Sequence, residues 1–121
     1  MILALLDEGI QVSLFAEGSY ESRLDSVNEF PKGNVAWLFD RTDMAKAKAA
    51  LGNNCCISGN VPASLLSTGT PAQVKEYCRN LIEAAGAGGG FILAAGATAE
   101  RTSIGNLRAM VDAAAEYGVY R

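Results

Sequence analysis

The chain has 121 residues, of which 50% are apolar and 19% are charged, and its formal net charge at neutral pH is −3. This composition is typical of a globular domain with a real core and excludes an intrinsically disordered chain. The acidic balance and the lack of a basic run argue against nucleic acid and anionic membrane as partners.

Short apolar runs alternate with segments of helical periodicity from the start of the chain. Residues 2–6 indicate the end of a helix that Gly9 terminates. The apolar run 11–16 predicts the first buried strand. Residues 21–29 have only a weak amphipathic pattern, through Leu24, Val27 and Phe30, before Pro31 interrupts it. The run 35–39 predicts the second strand.

The same alternation continues through the second half. Thr42 or Asp43 is placed to cap a helix that Gly52 ends, and 55–58 predicts a short third strand. Thr70 and Pro71 form a strong helix start, which predicts a helix over 71–86. The run 91–94 predicts the fourth strand, and the last predicted helix covers about 105–117. Its expected inner stripe is Leu107, Met110, Val111 and Ala114, and that of the preceding helix is Val74, Tyr77, Cys78, Leu81 and Ile82.

Four strand–helix units in succession predict an α/β fold with a parallel sheet and crossover helices. The strands are apolar throughout, as expected when both faces of a sheet are covered. No proline-rich or low-complexity linker interrupts the sequence, so we expect one domain over residues 1–121.

The sequence contains no histidine, which removes the commonest general base and the commonest metal ligand. A Ser–His–Asp triad, a Cys–His pair or a histidine-ligated zinc site built by this chain alone is excluded. The cysteines Cys55, Cys56 and Cys78 are odd in number and two are adjacent, which predicts reduced thiols. No signal peptide or apolar run long enough for a membrane span is visible, so we expect a cytoplasmic location.

Polar residues follow the predicted strands where parallel α/β folds place their chemistry, at the carboxyl ends. Glu17 and Asp40 are the candidate acid, base or cation-binding residues. Arg41 is suited to hold a carboxylate through two hydrogen bonds. The remaining candidates for substrate binding are Ser19, Asn60 and Gly96.

Structural roles compete with these functional ones. Thr42 and Asp43 are suited to capping, Arg41 and Asp40 to pairing with each other or with neighbouring loops, and Asn60 before Val61-Pro62 to building a turn. The glycines at 88–90 precede a strand, which is the wrong order for a phosphate loop and favours a simple connection.

Several segments in order resemble the uroporphyrinogen decarboxylase superfamily. The longest is GNVPASLLSTGTPAQVKEYCRNLIEAAGAGGGFILAAG, residues 59–96, with its GN-x-P turn, its Thr-Pro helix start and its GGFIL strand. FDRTDMAKAKAALG (39–52) and EGSYESRLD (17–25) extend the resemblance upstream, and NLRAMVDAAAEYGVYR extends it to the end. The long GNVP…GTP…GGFIL form of this segment most resembles the methyltransferase-like branch of the superfamily.

The resemblance implies the C-terminal half of a TIM-type (β/α)8 barrel with its pocket at the carboxyl ends of the strands. The superfamily contains lyases that decarboxylate tetrapyrrole (porphyrinogen) acetates, and zinc-dependent methyltransferases that serve corrinoid proteins or coenzyme M. The sequence resembles the family only from the helix before the fifth strand onward. The expected partner is therefore the N-terminal half or, in a homodimer or larger homo-oligomer, further copies of this chain.

The sequence departs from the family at the positions that matter most for chemistry. Decarboxylases have a histidine at a position that corresponds to about Ala95. Zinc methyltransferases have His-x-Cys where this chain has Phe15 and Glu17, and a further cysteine at Ala97. We therefore expect no metal site and no cofactor in this chain, although zinc or a corrinoid partner belongs to the family. The functional hypothesis is part of a methyl-transferring or tetrapyrrole-modifying enzyme; the alternative is a non-catalytic oligomerising remnant.

Overall fold

The computed structural model describes residues 1–120, and its elements follow the predicted order of strands and helices. The strands are β1 (Val12–Ala16), β2 (Val35–Phe39), β3 (Cys56–Val61) and β4 (Phe91–Ala95). The helices are α1 (Ile2–Asp7), α2 (Met44–Leu51), α3 (Ala63–Thr68), α4 (Pro71–Ala85) and α5 (Ile104–Tyr117). No helix within residues 1–120 is long and apolar enough to cross a membrane.

The four strands form one parallel sheet in the order β1-β2-β3-β4. Trp37 of β2 lies opposite Leu14 of β1 and Ile57 of β3, and Ile57 lies opposite Phe91 of β4. The α/β architecture of about four strand–helix units, as in part of a TIM-type barrel, is thereby confirmed. Because all strands are parallel, their carboxyl ends lie at the same edge of the sheet.

One face of the sheet forms the hydrophobic core together with the helices. Trp37, Phe39 and Ile57 point to this face and are buried with Leu51 of α2 and Val74 of α4. The indole Nε1 of Trp37 is buried there without a hydrogen-bond partner among residues 1–120.

The opposite face of the sheet has no helix against it, and we call it the open face. In one register row it presents Phe15, Leu38, Ser58 and Ile92, of which Phe15 is 50% and Ile92 54% exposed. Alternation along the strands adds four more side chains to the open face: Ser13, Ala36, Cys56 and Ala94. Within the described residues, helices therefore cover only one face of the sheet.

The connection from β1 to β2 contains no α-helix. Residues 21–29, whose amphipathic pattern was weak, form two short 3-10 turns at Glu21–Arg23 and Asp25–Val27. Leu24 is buried, and Val27 and Phe30 pack against the core from this connection. A few apolar side chains cover β1 and β2 where a helix was expected.

The third strand is longer than predicted and includes Asn60, which does not form a turn. The strand runs on through Gly59, whose φ is 125°, and the peptide bond that joins Gly59 to Asn60 is cis. A Cβ at Gly59 would lie 2.5 Å from the carbonyl oxygen of Phe39, so only glycine allows β3 to pass this close to β2. The short helix α3, which follows Pro62 directly, was not predicted.

The helix starts are confirmed, whereas the face of the last helix is corrected. Asp43 caps α2 by accepting from the Lys46 N–H at 3.0 Å. Thr70 and Gln73 form a reciprocal capping box at the start of α4. In α5 the buried residues are Asn106, Ala109 and Ala113. The predicted inner stripe was wrong at two of its members, since Leu107 is 45% and Val111 66% exposed.

Candidate functional site

The ends of the four strands bring polar residues together at the carboxyl edge of the sheet. Glu17 directly follows β1, Asp40 directly follows β2, Asn60 is the penultimate residue of β3, and Gly96 directly follows β4. The register places Glu17 and Asp40 one step beyond the paired residues Ala16 and Phe39.

Asp40 connects the loop after β1 to the loop after β2. Its Oδ2 accepts a hydrogen bond from the Gly18 N–H at 2.9 Å, and the Arg41 N–H donates to the Gly18 carbonyl at 3.0 Å. Asp40 and Arg41 form no ion pair. The salt bridges among residues 1–120 all lie on α4 and α5. The guanidinium of Arg41 is on an exposed residue and has no acidic partner in the described chain.

Thr42 and Asn60 form a buried polar pair beneath these loops. The Nδ2 of Asn60 donates to the Thr42 carbonyl at 2.6 Å, and the Thr42 hydroxyl accepts from the Tyr20 N–H at 2.8 Å. Thr42 is 1% and Asn60 6% exposed. Thr42 therefore orders the loop after β1 and does not cap α2. Asn60 uses only its Nδ2 within residues 1–120, which leaves its Oδ1 as an acceptor.

Gly96 allows the end of β4 to pack against the ends of β2 and β3. Its N–H donates to the Val61 carbonyl at 2.9 Å. A Cβ at Gly96 would lie 2.6 Å from the carbonyl oxygen of Asp40 and 3.3 Å from the Cβ of Asn60. The backbone of Gly96 is thus in direct contact with two of the candidate site residues.

A groove of about 860 Å³ opens at this edge, and we call it the strand-end groove. Asp40, Arg41 and Asn60 line it, together with Tyr77 and Asn80 of α4; its further lining residues include Glu21, Asp43, Ser64 and Ala97. The other three candidates, Glu17, Ser19 and Gly96, are not among its lining residues. Glu17 is exposed, Gly96 is buried, and the Ser19 hydroxyl donates to Glu21 at 2.9 Å.

Tyr77 and Asn80 were missed as site residues by sequence reasoning. Tyr77 was assigned to the inner stripe of its helix, but it is 38% exposed and borders the strand-end groove. A helix that follows a strand begins at the carboxyl edge of the sheet, so its first turns were the signal available for finding them.

The lining of the strand-end groove has a negative net charge. Its lining carries three carboxylates, Glu21, Asp40 and Asp43, and one guanidinium, Arg41, for a net charge of −2. The hydrogen bond from the Asp43 N–H, with a second from Ser19, lowers the pKa of Glu21 and keeps it ionised. Lys46 stands close enough to Glu21 to contribute to that lowering.

The residues present do not fit the zinc ion that the family resemblance implies. A zinc site needs three or four nitrogen, sulfur or oxygen ligands around one point. Within residues 1–120 no three cysteine, aspartate or glutamate side chains are grouped in this way. Phe15 and Ala97 occupy two of the positions where the resemblance implies ligands, and all three cysteines are free, with Cys55 and Cys78 buried.

A second groove, of about 720 Å³, lies between the ends of α4 and α5 at the start of β4. Its lining is mainly apolar, with Ile82, Phe91, Tyr117 and Tyr120 around the glycines at 86, 88 and 89. The Tyr120 hydroxyl donates to the Phe91 carbonyl there at 2.8 Å. None of the candidate site residues borders this groove.

Comparisons with known proteins agree with the architecture of the sheet. A solved structure of a methyltransferase from Methanosarcina mazei matches with a TM-score of 0.73 at 18% sequence identity. The match covers 90% of this chain and 32% of that one, so the chain spans about a third of the length of that structure. No curated protein matches the chain. The family model described as uroporphyrinogen decarboxylase (URO-D) matches residues 2–117, and the chain therefore belongs to the uroporphyrinogen decarboxylase family.

Proposed function

We propose that the chain is the C-terminal part of a cytoplasmic enzyme that transfers a methyl group to or from a corrinoid. The observation that carries the proposal is the charge and hydrogen-bonding character of the strand-end groove, whose lining has a net charge of −2. A corrin ring is surrounded by uncharged amide groups, which carboxylates and amide side chains can bind without repulsion. A tetrapyrrole polycarboxylate would enter the same groove against like charges.

The polar side chains of the groove have complementary hydrogen-bonding roles in this proposal. The free guanidinium of Arg41 donates to carbonyl oxygens of the ligand, and the Oδ1 of Asn60 accepts from an amide N–H. Ser19 and the backbone of Gly96 complete the binding edge. Glu17 and Asp40 are the candidate general bases: where the corrinoid donates the methyl group, either would take the proton that an acceptor such as a thiol releases as its new bond to carbon forms.

A titration with two macrocycles tests the proposal. The absorbance of methylcobalamin and that of uroporphyrin are followed as the full chain is added. We expect methylcobalamin to bind and uroporphyrin to bind more weakly or not at all. Arg41→Ala should weaken methylcobalamin binding about tenfold, the loss expected for one charge-assisted hydrogen bond. Arg108→Ala, on an exposed residue of α5, is the matched control and should bind normally.

The opposite ranking would assign the groove to tetrapyrrole carboxylate chemistry. Uroporphyrin bound more tightly than methylcobalamin, with loss of that binding in Arg41→Ala, contradicts the corrinoid proposal. In that case Arg41 holds a carboxylate and the decarboxylase branch of the family is favoured.

A second candidate function is a non-catalytic oligomerising domain. The exposed apolar residues Phe15 and Ile92 on the open face favour it, as does a donor set that does not fit zinc. The same titration discriminates the two functions, because an oligomerising remnant would bind neither macrocycle.

A further inference from the structure

The side chain of Asn60 presents an unused acceptor to the strand-end groove. It is 6% exposed, and its Nδ2 donates to the Thr42 carbonyl at 2.6 Å. Exchanging the two amide atoms would set two oxygens against each other at that distance, so the Oδ1 is the atom left over. The polar atoms that are both buried and unpartnered within residues 1–120 are the Trp37 Nε1 and the Asn106 Oδ1. The Asn60 Oδ1 is not among them, and because Asn60 lines the groove, this acceptor is open to a donor there.

Two carboxylates of the groove also have free oxygens. Asp40 uses its Oδ2 to accept from the Gly18 N–H, and Asp43 uses its Oδ1 to accept from the Lys46 N–H. The second oxygen of each carboxylate has no hydrogen-bond partner within residues 1–120, and neither carboxylate forms a salt bridge in that range. The groove therefore offers three acceptors to a ligand that donates hydrogen bonds.

The cations around the groove do not neutralise its carboxylates. Glu21 accepts from the Asp43 N–H and from the Ser19 hydroxyl, each at 2.9 Å, and both hydrogen bonds lower its pKa and keep it ionised. Lys46 contributes to that lowering but forms no salt bridge within residues 1–120. Arg41 is the one cation among the described lining residues. The lining thus keeps its net charge of −2 and attracts a positively charged ligand.

An aromatic ring borders the same space. Tyr77 is 38% exposed, and burial, with smaller contributions from Cys78 and Asp43, raises the pKa of its hydroxyl and keeps it neutral. The face of an aromatic ring attracts a cation that lies within about 6 Å of its centre. Leu81 and Ala84, one and two turns further along the same side of α4, extend the wall as an apolar surface. A cation with an apolar body would contact both the ring and this surface.

The groove is built by segments from the middle of the chain. Its lining comes mainly from the loop after β2, the end of β3 and the residues 62–64 that follow it, and one side of α4. No residue of the edge strands β1 and β4, as the structure describes them, lines it. Residues that pair with those edges in a longer protein are therefore not needed to form it. Its volume of about 860 Å³ is in the range of small-molecule sites.

We propose that the strand-end groove binds a primary organic ammonium ion. The ammonium group has three N–H donors and no acceptor. It donates to the Asn60 Oδ1 with the carboxylates of Asp40 and Asp43 around it, and its carbon chain lies along Tyr77. The inference goes beyond the proposed function, because this binding needs neither a corrinoid nor methyl transfer.

Three ligands with the same carbon chain test the charge that the groove selects. Butylammonium, 1-butanol and butyrate are each titrated into the full chain and followed by ¹H–¹⁵N NMR. We expect butylammonium to bind at least about tenfold more tightly than 1-butanol, and butyrate not to bind. The side-chain amide signals of Asn60 and the backbone signal of Tyr77 should shift with butylammonium. Because no corrinoid is present, a failure here is distinct from a failure of the methylcobalamin titration.

Two positions separate the contribution of charge from that of the ring. Asp43→Asn keeps a good capping residue for α2 but removes a charge, and should weaken butylammonium binding about fivefold. Tyr77→Leu should weaken it about fivefold as well, whereas Tyr77→Phe, which keeps the ring, should not. The matched control is Asp112→Asn, the same change on an exposed residue of α5, which should bind normally. The NMR spectrum of each variant shows whether it is folded.

Four results would overturn the proposal. Equal affinities for butylammonium and 1-butanol, or equal effects of Asp43→Asn and Asp112→Asn, would show that the groove does not select for positive charge. Signal shifts confined to residues outside 40–45, 60–64 and 77–84 would place the ammonium ion elsewhere. A folded parent chain that does not bind butylammonium at all would show that the groove is not an ammonium site.

Discussion

At the scale of single residues, the hydrogen bonds of the strand-end edge separate side chains that hold loops from side chains that are free. Asp40 and Thr42 hold the loop after β1 through the N–H groups of Gly18 and Tyr20. The Arg41 guanidinium and the Oδ1 of Asn60 have no hydrogen-bond partner within residues 1–120. That polar groups would gather at this edge was predictable from their place after apolar runs. Their partners were not, since each hydrogen bond joins residues about twenty positions apart.

Cys78 gives a prediction about alkaline stability. Burial raises the pKa of this thiol from 9.0 to about 11 in the folded chain. The unfolded thiol ionises at the lower value, so the free energy of unfolding is unaffected below pH 9 and falls as the pH rises from 9 to 11. We expect a loss of about 1–2 kcal/mol from this residue by pH 10.5, measured by urea denaturation.

The control for this prediction is Cys78→Ala, which removes the titrating group. Burial also raises the pKa of Cys55, Cys56 and Tyr77, so some alkaline loss should remain in the variant. An equally steep loss in the variant and in the parent chain would show that Cys78 does not contribute.

At the scale of elements, the last helix shows where sequence periodicity is insufficient. Apolar residues occur on several sides of α5, and the larger ones suggested the wrong inner face. The structure instead packs the small residues Ala109 and Ala113 inward, because two helices approach closely only where side chains are small. Asn106 fixes this rotation by donating to the carbonyls of Leu66 and Gly69 at 2.9 and 2.8 Å. Both carbonyls belong to the end of α3, which the sequence did not predict.

Two alanines of α5 test this rotation of the helix. Ala113 is completely buried and Ala115 is exposed two positions later. Ala113→Leu should lower the free energy of unfolding by about 1–3 kcal/mol, because the tightly packed site has no room for the larger side chain. Ala115→Leu should change it by less than about 0.5 kcal/mol. Thermal or urea unfolding gives both values, and equal effects at the two positions would contradict the observed rotation.

At the scale of the whole molecule, strand order and parallel pairing followed from the alternation of apolar runs with helical segments. That alternation leaves few other topologies for a short chain. Contacts that depend on close backbone approach were not predictable. The extension of β3 past Gly59, and the packing of Gly96 against Asp40 and Asn60, depend on which strands become neighbours. The position of a glycine in the sequence does not predict which backbone segment it will contact.

A pair of glycines tests the closeness of this packing across the sheet. Gly96→Ala should destabilise the fold by about 1–3 kcal/mol, since its Cβ would collide with the Asp40 carbonyl at 2.6 Å. Gly105→Ala is the control, because a Cβ there meets only the Pro71 Cγ at an ordinary 3.6 Å. That change should stabilise α5 by up to about 1 kcal/mol, from helix propensity. Effects of the same sign at both glycines, in urea denaturation, would contradict this account.

The buried indole of Trp37 is an intrinsic fluorescence probe of this molecule. It is the single tryptophan of the sequence, and its Nε1 has neither a protein acceptor within residues 1–120 nor access to water. Emission from indole moves to long wavelength when surrounding dipoles relax around the excited state, and here little can relax. The native chain should therefore emit at unusually short wavelength. The Tyr20 ring, 6.3 Å away, belongs to the loop that Thr42 anchors, so it can transfer excitation to Trp37 from that loop. Because the sequence has four tyrosines, the part of that transfer lost in Tyr20→Phe reports whether the loop at the strand-end groove is in place.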